Sequence, residues 1–253
     1  MNVGRVALLS VALLALAACA KTNDPGYQGW VEADLIFVSP DEVGRVETLS
    51  VREGDTIEKG APLFTVDPDL QQSDVEMAKA SVTNATQAYE RAQTLLKTSA
   101  GTQKTVEDAE AALRTAQARL ASAQTRLARR KASSPVTGSV QQIYYRPGEL
   151  VPAGRPVVSL LPPGNIKIRF FVPETVLPSV ALGEAVTIHC DGCKTDVTAK
   201  VTFISRTSEF TPPVIYSLDE RSKLVFLIEA RTDTPGELRV GQPADVRFAE
   251  PRK

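Results

Sequence analysis

The sequence predicts an elongated α+β protein: a helical hairpin interrupts a small β-sandwich, and a run of short strands follows. Three observations carry this. A strand-turn-strand pattern occurs twice, 94 positions apart. The residues between the two copies keep a heptad spacing without Pro or Gly in either arm. From Asn165 onward the apolar residues fall into short runs separated by turn signals.

The chain begins with Arg5 and then an apolar run from Val6 to Leu16, broken only by Ser10. Spanning a bilayer takes about 20 apolar residues, so this run reads as a secretion signal. It ends in Leu16-Ala17-Ala18-Cys19, which resembles a bacterial lipobox. The expectation is a signal peptide over 1–18, lipidation at Cys19 and a polar tether over 19–29. Each buried acyl methylene contributes about 0.8 kcal/mol to anchoring, which would hold the chain outside the cytoplasm. Ala20, following Cys19, is not an aspartate retention signal of the enteric kind, which leaves either membrane open to the anchor, with the inner membrane as the expectation.

In the repeat, Gly44, Val46, Leu49, Gly54, Asp55, Ile57, Gly60, Pro62 and Leu63 match Gly138, Val140, Ile143, Gly148, Glu149, Val151, Gly154, Pro156 and Val157 without a gap. Glu53-Gly54-Asp55 and Pro147-Gly148-Glu149 are turns, where glycine reaches positive φ at no steric cost. Each copy is too small to bury its own apolar face. The two are therefore expected to close into one sandwich from residues 30–67 and 133–163. The run from Gly44 to Gly60 with Leu63 to Asp67 resembles half of a lipoyl/biotinyl-type domain, and Ser134 to Leu161 resembles the other half. In such carriers a tight hairpin bearing the modified lysine joins the halves; here about seventy residues of helix replace it. Lys59 lies in an ordinary turn, and its counterpart is Ala153.

The insert, 68–132, has two arms. Val75, Ala78, Val82, Ala85, Tyr89, Ala92 and Leu96 follow a 3-4 spacing, as do Val106, Ala109, Leu113, Ala116, Leu120, Ala123 and Leu127. Such a seam predicts a coiled coil, with Ser99 to Thr102 as the turn. Roughly 30 residues per arm at about 1.5 Å each give a rod of about 45 Å. Pro68 is tolerated near the helix start.

A split lipoyl-like sandwich interrupted by an antiparallel coiled coil resembles the membrane fusion proteins, the HlyD-like periplasmic adaptors of tripartite pumps. The resemblance covers about Trp30 to Phe248. It implies an antiparallel coiled-coil α-hairpin inserted in a split lipoyl-like β-sandwich, followed by a small β-barrel. It also implies an inner-membrane transporter and a TolC-like outer-membrane channel as partners, a hexameric ring, and no catalysis. In adaptors that engage such a channel the tip carries Arg, then Leu, then Ser. Arg91, Leu95 and Thr102 stand at those positions.

The barrel is expected over 164–250, with strands at 166–172, 185–190, 197–205, 224–230 and 244–248. Phe170 to Glu174 and Arg239 to Val246 resemble its first and last segments. The sequence ends soon afterwards, where many adaptors continue into a membrane-proximal domain. That ending, with the segment from Ser208 to Ser217, which resembles one ABC-associated branch, leads to an ABC-type partner as the expectation and a proton-driven (RND-type) pump as the alternative. Cys190-Asp-Gly-Cys193 allows three readings. Redox work requires a helix N-terminus to lower the thiol pKa, and zinc requires about four ligands where only His189 is near. A structural disulfide clipping a hairpin turn in an oxidising compartment is the expected one.

Other function classes find little support. The net charge of −1 gives no reason to expect nucleic acid. One His and three Cys leave few residues for metal or nucleophilic chemistry. No paired carboxylates, Ser-His arrangement or phosphate-binding loop stands out. The expectation is an adaptor, not an enzyme, without cofactor or metal, exporting small molecules or peptides.

Overall fold

The computed structural model describes residues 26–191, 193, 195–210, 224–232 and 238–248. The chain folds as two units: residues 34–165 form one, and residues up to 33 join those from 166 onward in the other. The signal sequence, Cys19, residues 211–217 of the Pro-rich segment and the Pro235-Gly236 turn lie outside the described residues.

In the first unit, strands β2 (Ile36–Val38), β3 (Gly44–Leu49), β4 (Thr56–Ile57) and β5 (Pro62–Val66) come from the first repeat copy. Strands β6 (Lys131–Ser133), β7 (Gly138–Ile143), β8 (Leu150–Val151) and β9 (Val158–Leu161) come from the second. They form two sheets, ordered β2-β9-β7-β4 and β6-β5-β3-β8. Each sheet draws two strands from each copy, so neither copy is a sheet by itself. Exchanging the copies turns one order into the other, which makes the unit quasi-two-fold symmetric.

The hydrogen bonds obey the same symmetry. Gly54 N–H donates to the Val140 carbonyl (2.9 Å), and Gly148 N–H to that of Val46 (2.8 Å). Val140 N–H donates to Asp55 and Val46 N–H to Glu149, both at 2.9 Å. Gly54 and Gly148 sit at φ +89° and +96°, the left-handed region that favours glycine. Both copies carry a bulge in the same place, after Val46 and after Val140. The interior is Val46, Ile57, Leu63, Phe64 and Val66 against Val140, Val151, Val157, Val158 and Leu160.

Helices α1 (Asp69–Lys97) and α2 (Gln103–Ala128) occupy the break between the copies. Pro68 takes the N-cap position of α1. β6 starts at Lys131, so the hairpin ends slightly before the expected boundary at 132.

The second unit is a closed barrel in the order β1-β10-β13-β12-β11-β14. Its strands are β1 (Tyr27–Ala33), β10 (Ile166–Pro173), β11 (Ala185–His189), β12 (Val197–Phe210), β13 (Leu224–Arg231) and β14 (Pro243–Phe248). Here two expected boundaries need correction. Residues 30–33 belong to the barrel and not to the sandwich, and residues 27–29, expected in the tether, are the start of β1. The reason is pairing: β1 binds β10 on one side and β14 on the other, and so closes the cylinder. Val31 points inward beside Ile168, Phe170, Ile228 and Val246, all fully buried. Gly29 permits close packing, since a Cβ there would sit 2.3 Å from the Arg169 carbonyl oxygen. Strand β12 runs to Phe210, beyond the expected end at 205, so Ser208 to Phe210 are strand and not loop.

The repeat makes a quantitative prediction. Gly44 and Gly138 are equivalent, but a Cβ at Gly44 meets the Val66 side chain (2.4 Å), whereas one at Gly138 meets the Leu161 backbone (2.5 Å). At Gly44 the added Cβ also meets Arg130 Nη1 (2.9 Å), and Val66 and Arg130 are both buried, so neither site yields cheaply. Overpacking costs roughly 1–3 kcal/mol, and urea unfolding should show both Gly→Ala variants destabilised by about that much.

Candidate functional site

The hairpin forms because its residues favour helix and its seam is narrow. Ala, Gln, Glu, Lys and Arg dominate, and all have high helix propensity. All seven seam positions in each arm are buried or partly buried. The fully buried ones include Ala92, Ala116 and Ala123, small residues that let the two backbones approach. The 29 and 26 residues of the helices correspond to lengths of about 43 and 39 Å. Surface pairs trim the outer faces. Lys79, 2.8 Å from Glu76, holds that carboxyl below the usual carboxylate range through a hydrogen bond and its charge. Glu110 likewise raises the Arg114 guanidinium above its ordinary value, chiefly by a hydrogen bond.

The tip closes by a Schellman arrangement. Ser99 N–H donates to the Leu96 carbonyl (3.1 Å) and Ala100 N–H to that of Leu95 (2.9 Å). The left-handed residue in this turn is Ser99, at φ +56°, and not Gly101. Gly101 instead serves close approach, because a Cβ there would lie 3.2 Å from the Cβ of Leu95. Thr102 then caps α2: its hydroxyl accepts the Thr105 N–H (3.2 Å) and lies 2.7 Å from the Thr105 hydroxyl.

Arg91 and Leu95 are one helical turn apart on the same face. Both are exposed, Leu95 by 48%, while the adjacent Leu96 turns into the seam. With Gln87, Glu90 and Thr94 they line an open depression on α1. A guanidinium beside an exposed leucine can bind a carboxylate or carbonyl while filling an apolar slot. The third expected residue, Thr102, differs in kind, since its hydroxyl is engaged in the cap.

A polar cluster at the foot of the hairpin was not foreseen from sequence. Arg130, 7% exposed, donates to the Val43 carbonyl (3.1 Å) and the Glu42 carbonyl (3.4 Å). Its guanidinium lies 3.6 Å from the Glu42 carboxylate, which also accepts Gln71 Nε2 at 2.8 Å. Arg129 pairs with Asp41 (3.1 Å) and Arg126 with Asp74 (3.7 Å). Both helix feet are thus tied to the 41–43 connector. The Arg129-Arg130-Lys131 run looks like a solvated basic patch, and only the buried position of Arg130 reveals its role.

In the barrel, Cys190 and Cys193 are paired, with Cα atoms 5.4 Å apart. Cys193 N–H donates to the Cys190 carbonyl (3.1 Å). Closing so short a loop contributes about 2 kcal/mol in the chain-entropy account. His189 Nδ1 lies 2.8 Å from Asp196 Oδ1, both exposed. Among the described residues no three His, Cys, Asp or Glu side chains are grouped as metal ligands. None of the described helices is long and apolar enough to cross a membrane.

Comparison with known proteins places this geometry. Residues 36–161 match the family model described as the RND MFP barrel-sandwich hybrid domain. A UPF0194 membrane protein of Acidithiobacillus ferridurans is 32% identical over 117 residues, covering 46% of this chain and 35% of that protein. A UPF0194 membrane protein of Yersinia enterocolitica is 33% identical over 121 residues, covering 47% and 37%. The chain therefore aligns with little more than a third of these relatives' length. Among solved structures, a MacA-MexA chimera containing the Pseudomonas aeruginosa MexA α-hairpin domain superposes with a TM-score of 0.74 at 20% identity, covering 90% of this chain and 81% of that one. The membrane fusion protein Spr0693 of Streptococcus pneumoniae gives 0.69 at 17% identity, covering 88% and 98%. At such identities these two share the fold.

The tip geometry predicts opposite effects at two neighbouring residues. Ser99→Gly removes a left-handed penalty of about 1–2 kcal/mol, partly offset by glycine's greater unfolded-state entropy, and should raise stability. Thr102→Ala removes the cap at a cost of about 1 kcal/mol, while Thr102→Ser retains it. Thermal unfolding of the three variants checks both signs.

Proposed function

We propose, on the premise that the chain belongs to the membrane fusion proteins whose barrel-sandwich hybrid domain its residues 36–161 match, that it is a periplasmic adaptor linking an inner-membrane transporter to a TolC-like outer-membrane channel. Cys19 would hold it to the inner membrane by lipid. The exported substrate would be a small molecule or peptide. The role is conformational and not enzymatic: the hairpin tip docks on the channel, and copies of the chain, six by family expectation, surround a conduit.

The observation that carries this reading is the hairpin itself. A two-helix rod rooted by buried polar contacts at its foot presents Arg91 and Leu95, both exposed, next to its turn. An intramolecular core has no use for an exposed leucine beside an arginine at the end of such a rod. A docking partner with carboxylates or carbonyls beside an apolar slot does.

For the transporter we propose the ABC type, supported by the likeness of Ser208 to Ser217 to an ABC-associated branch. The description of the matched domain favours the second reading, an RND-type pump. Crosslinking in cells followed by identification of the captured transporter separates the two.

Arg91→Asp should abolish export and channel crosslinking while helical content and membrane association stay at wild-type levels. Export that survives the substitution would remove Arg91 from the contact.

A further inference from the structure

The barrel carries an outer face that the adaptor role leaves unexplained. Along β1, Gln28, Trp30 and Glu32 alternate with the inward Gly29, Val31 and Ala33 and so point outward. In register with them across the barrel, Trp30 stands beside Arg169, Arg169 beside Glu229, and Glu229 beside Phe203. A second row sets Glu32 beside Lys167, Lys167 beside Arg231 and Arg231 beside Lys200. Trp30 is 37% exposed and Phe203 47%. The Trp30 ring lies 5.7 Å from that of Phe171, and the Arg169 guanidinium sits 5.7 Å from the Trp30 centroid. Arg169 is also 3.0 Å from Glu32 and 3.5 Å from Glu229.

Aromatic rings interleaved with cations suit one environment in particular. Trp is enriched at membrane-water interfaces, where its ring sits among headgroups while its N–H stays wet. Arg and Lys beside it attract anionic headgroups, each contributing about 1 kcal/mol near the surface. On this face Lys167 is paired with Glu229 (3.3 Å) and Arg169 with Glu32 and Glu229, while Lys200 and Arg231 bring the cations to four against the carboxylates of Glu32, Glu209 and Glu229.

The length of chain leading into the barrel supports the same occupant. Seven steps separate Cys19 from Gly26, and at about 3.5 Å each they reach no farther than roughly 25 Å. An acyl group on Cys19 would keep the start of β1 within that distance of the bilayer. Trp30 lies only four residues beyond Gly26, within β1. We propose that the β1-β10-β13-β12 face of the barrel, centred on Trp30, rests on the headgroup layer of an anionic membrane. This deepens the proposed function and rests on its lipid-anchor reading.

Trp30 is the chain's one tryptophan, so its emission reports on this face alone. The mature protein, purified from its native host, is placed in nanodiscs of phosphatidylethanolamine and phosphatidylglycerol, with or without bromine on the acyl chains near the headgroups. The mass of the intact protein reports acylation of Cys19. For acylated protein, brominated lipid should reduce Trp30 emission about twofold, with a weaker effect in all-phosphatidylcholine discs, as expected of an interfacial indole. Lys200→Glu combined with Phe203→Ser, two exposed positions, should restore most of the emission. Unchanged emission in acylated protein overturns the proposal and leaves the face to a protein partner, and quenching that persists in the double variant overturns it as well. An unmodified Cys19 overturns the anchor reading and this inference with it.

Discussion

Each sheet of the sandwich borrows its strands from both ends of a chain segment, and this exchange is the constraint on which the structure depends. β4 pairs with β7 and β3 with β8, so the first copy is completed only by the second. Mutual completion is what lets a long helical insertion sit between the copies. The insertion lengthens the connection, but loop-closure entropy grows slowly with length, and the insert adds its own packing along the seam. The positive-φ glycines at 54 and 148, with their crossed hydrogen bonds, fix the strand pairing on both sides.

The hairpin inherits its direction from that closure. The sandwich pairs β5 with β6, Thr65 opposite Lys131, so the two helices must leave side by side. Covalent geometry at the two feet does not by itself fix an angle. The Arg130, Glu42 and Gln71 cluster supplies what is missing, since a buried guanidinium bonded to two carbonyls tolerates little movement. Gly44 belongs to this device, because a Cβ there would lie 2.9 Å from Arg130 Nη1. A narrow seam, stiff along its length and held at its foot, carries force or position from one end to the other. It would do so without any cavity for a substrate.

Much of this was readable in the chain. The 94-residue repeat marked equivalent strands and turns that the structure superposes by symmetry, and the heptads marked all fourteen seam residues that it buries or half-buries. Those features are periodic, and periodicity survives without coordinates. What was missed depends on contacts between distant segments. β1 looked like the end of a tether and the start of a sandwich because its alternation suits either domain. Only pairing with β10 and β14 decides for the barrel. Ser99 took the left-handed position because the hydrogen-bonded turn falls there, a detail that the reading of Ser99 to Thr102 as a turn did not contain. Arg130 resembled its solvated neighbours until burial set it apart. At the tip, the outward placement of Arg91 and Leu95 follows from the heptad, but the capping role of Thr102 needed the turn's geometry.

The adaptor reading assigns no chemistry to any side chain, so its physical content is architectural and lies in the closure of the two copies. Thr56 of β4 and Ser139 of β7 face each other in register, one from each copy. The most direct measurement is oxidation of a Thr56→Cys, Ser139→Cys variant in the periplasm, followed by peptide mass mapping. Strand exchange predicts that the two cysteines join quantitatively and that the oxidised protein unfolds at higher urea than its parent. Cysteines that stay unlinked, or a link that forms only by unfolding the sandwich, would contradict the account.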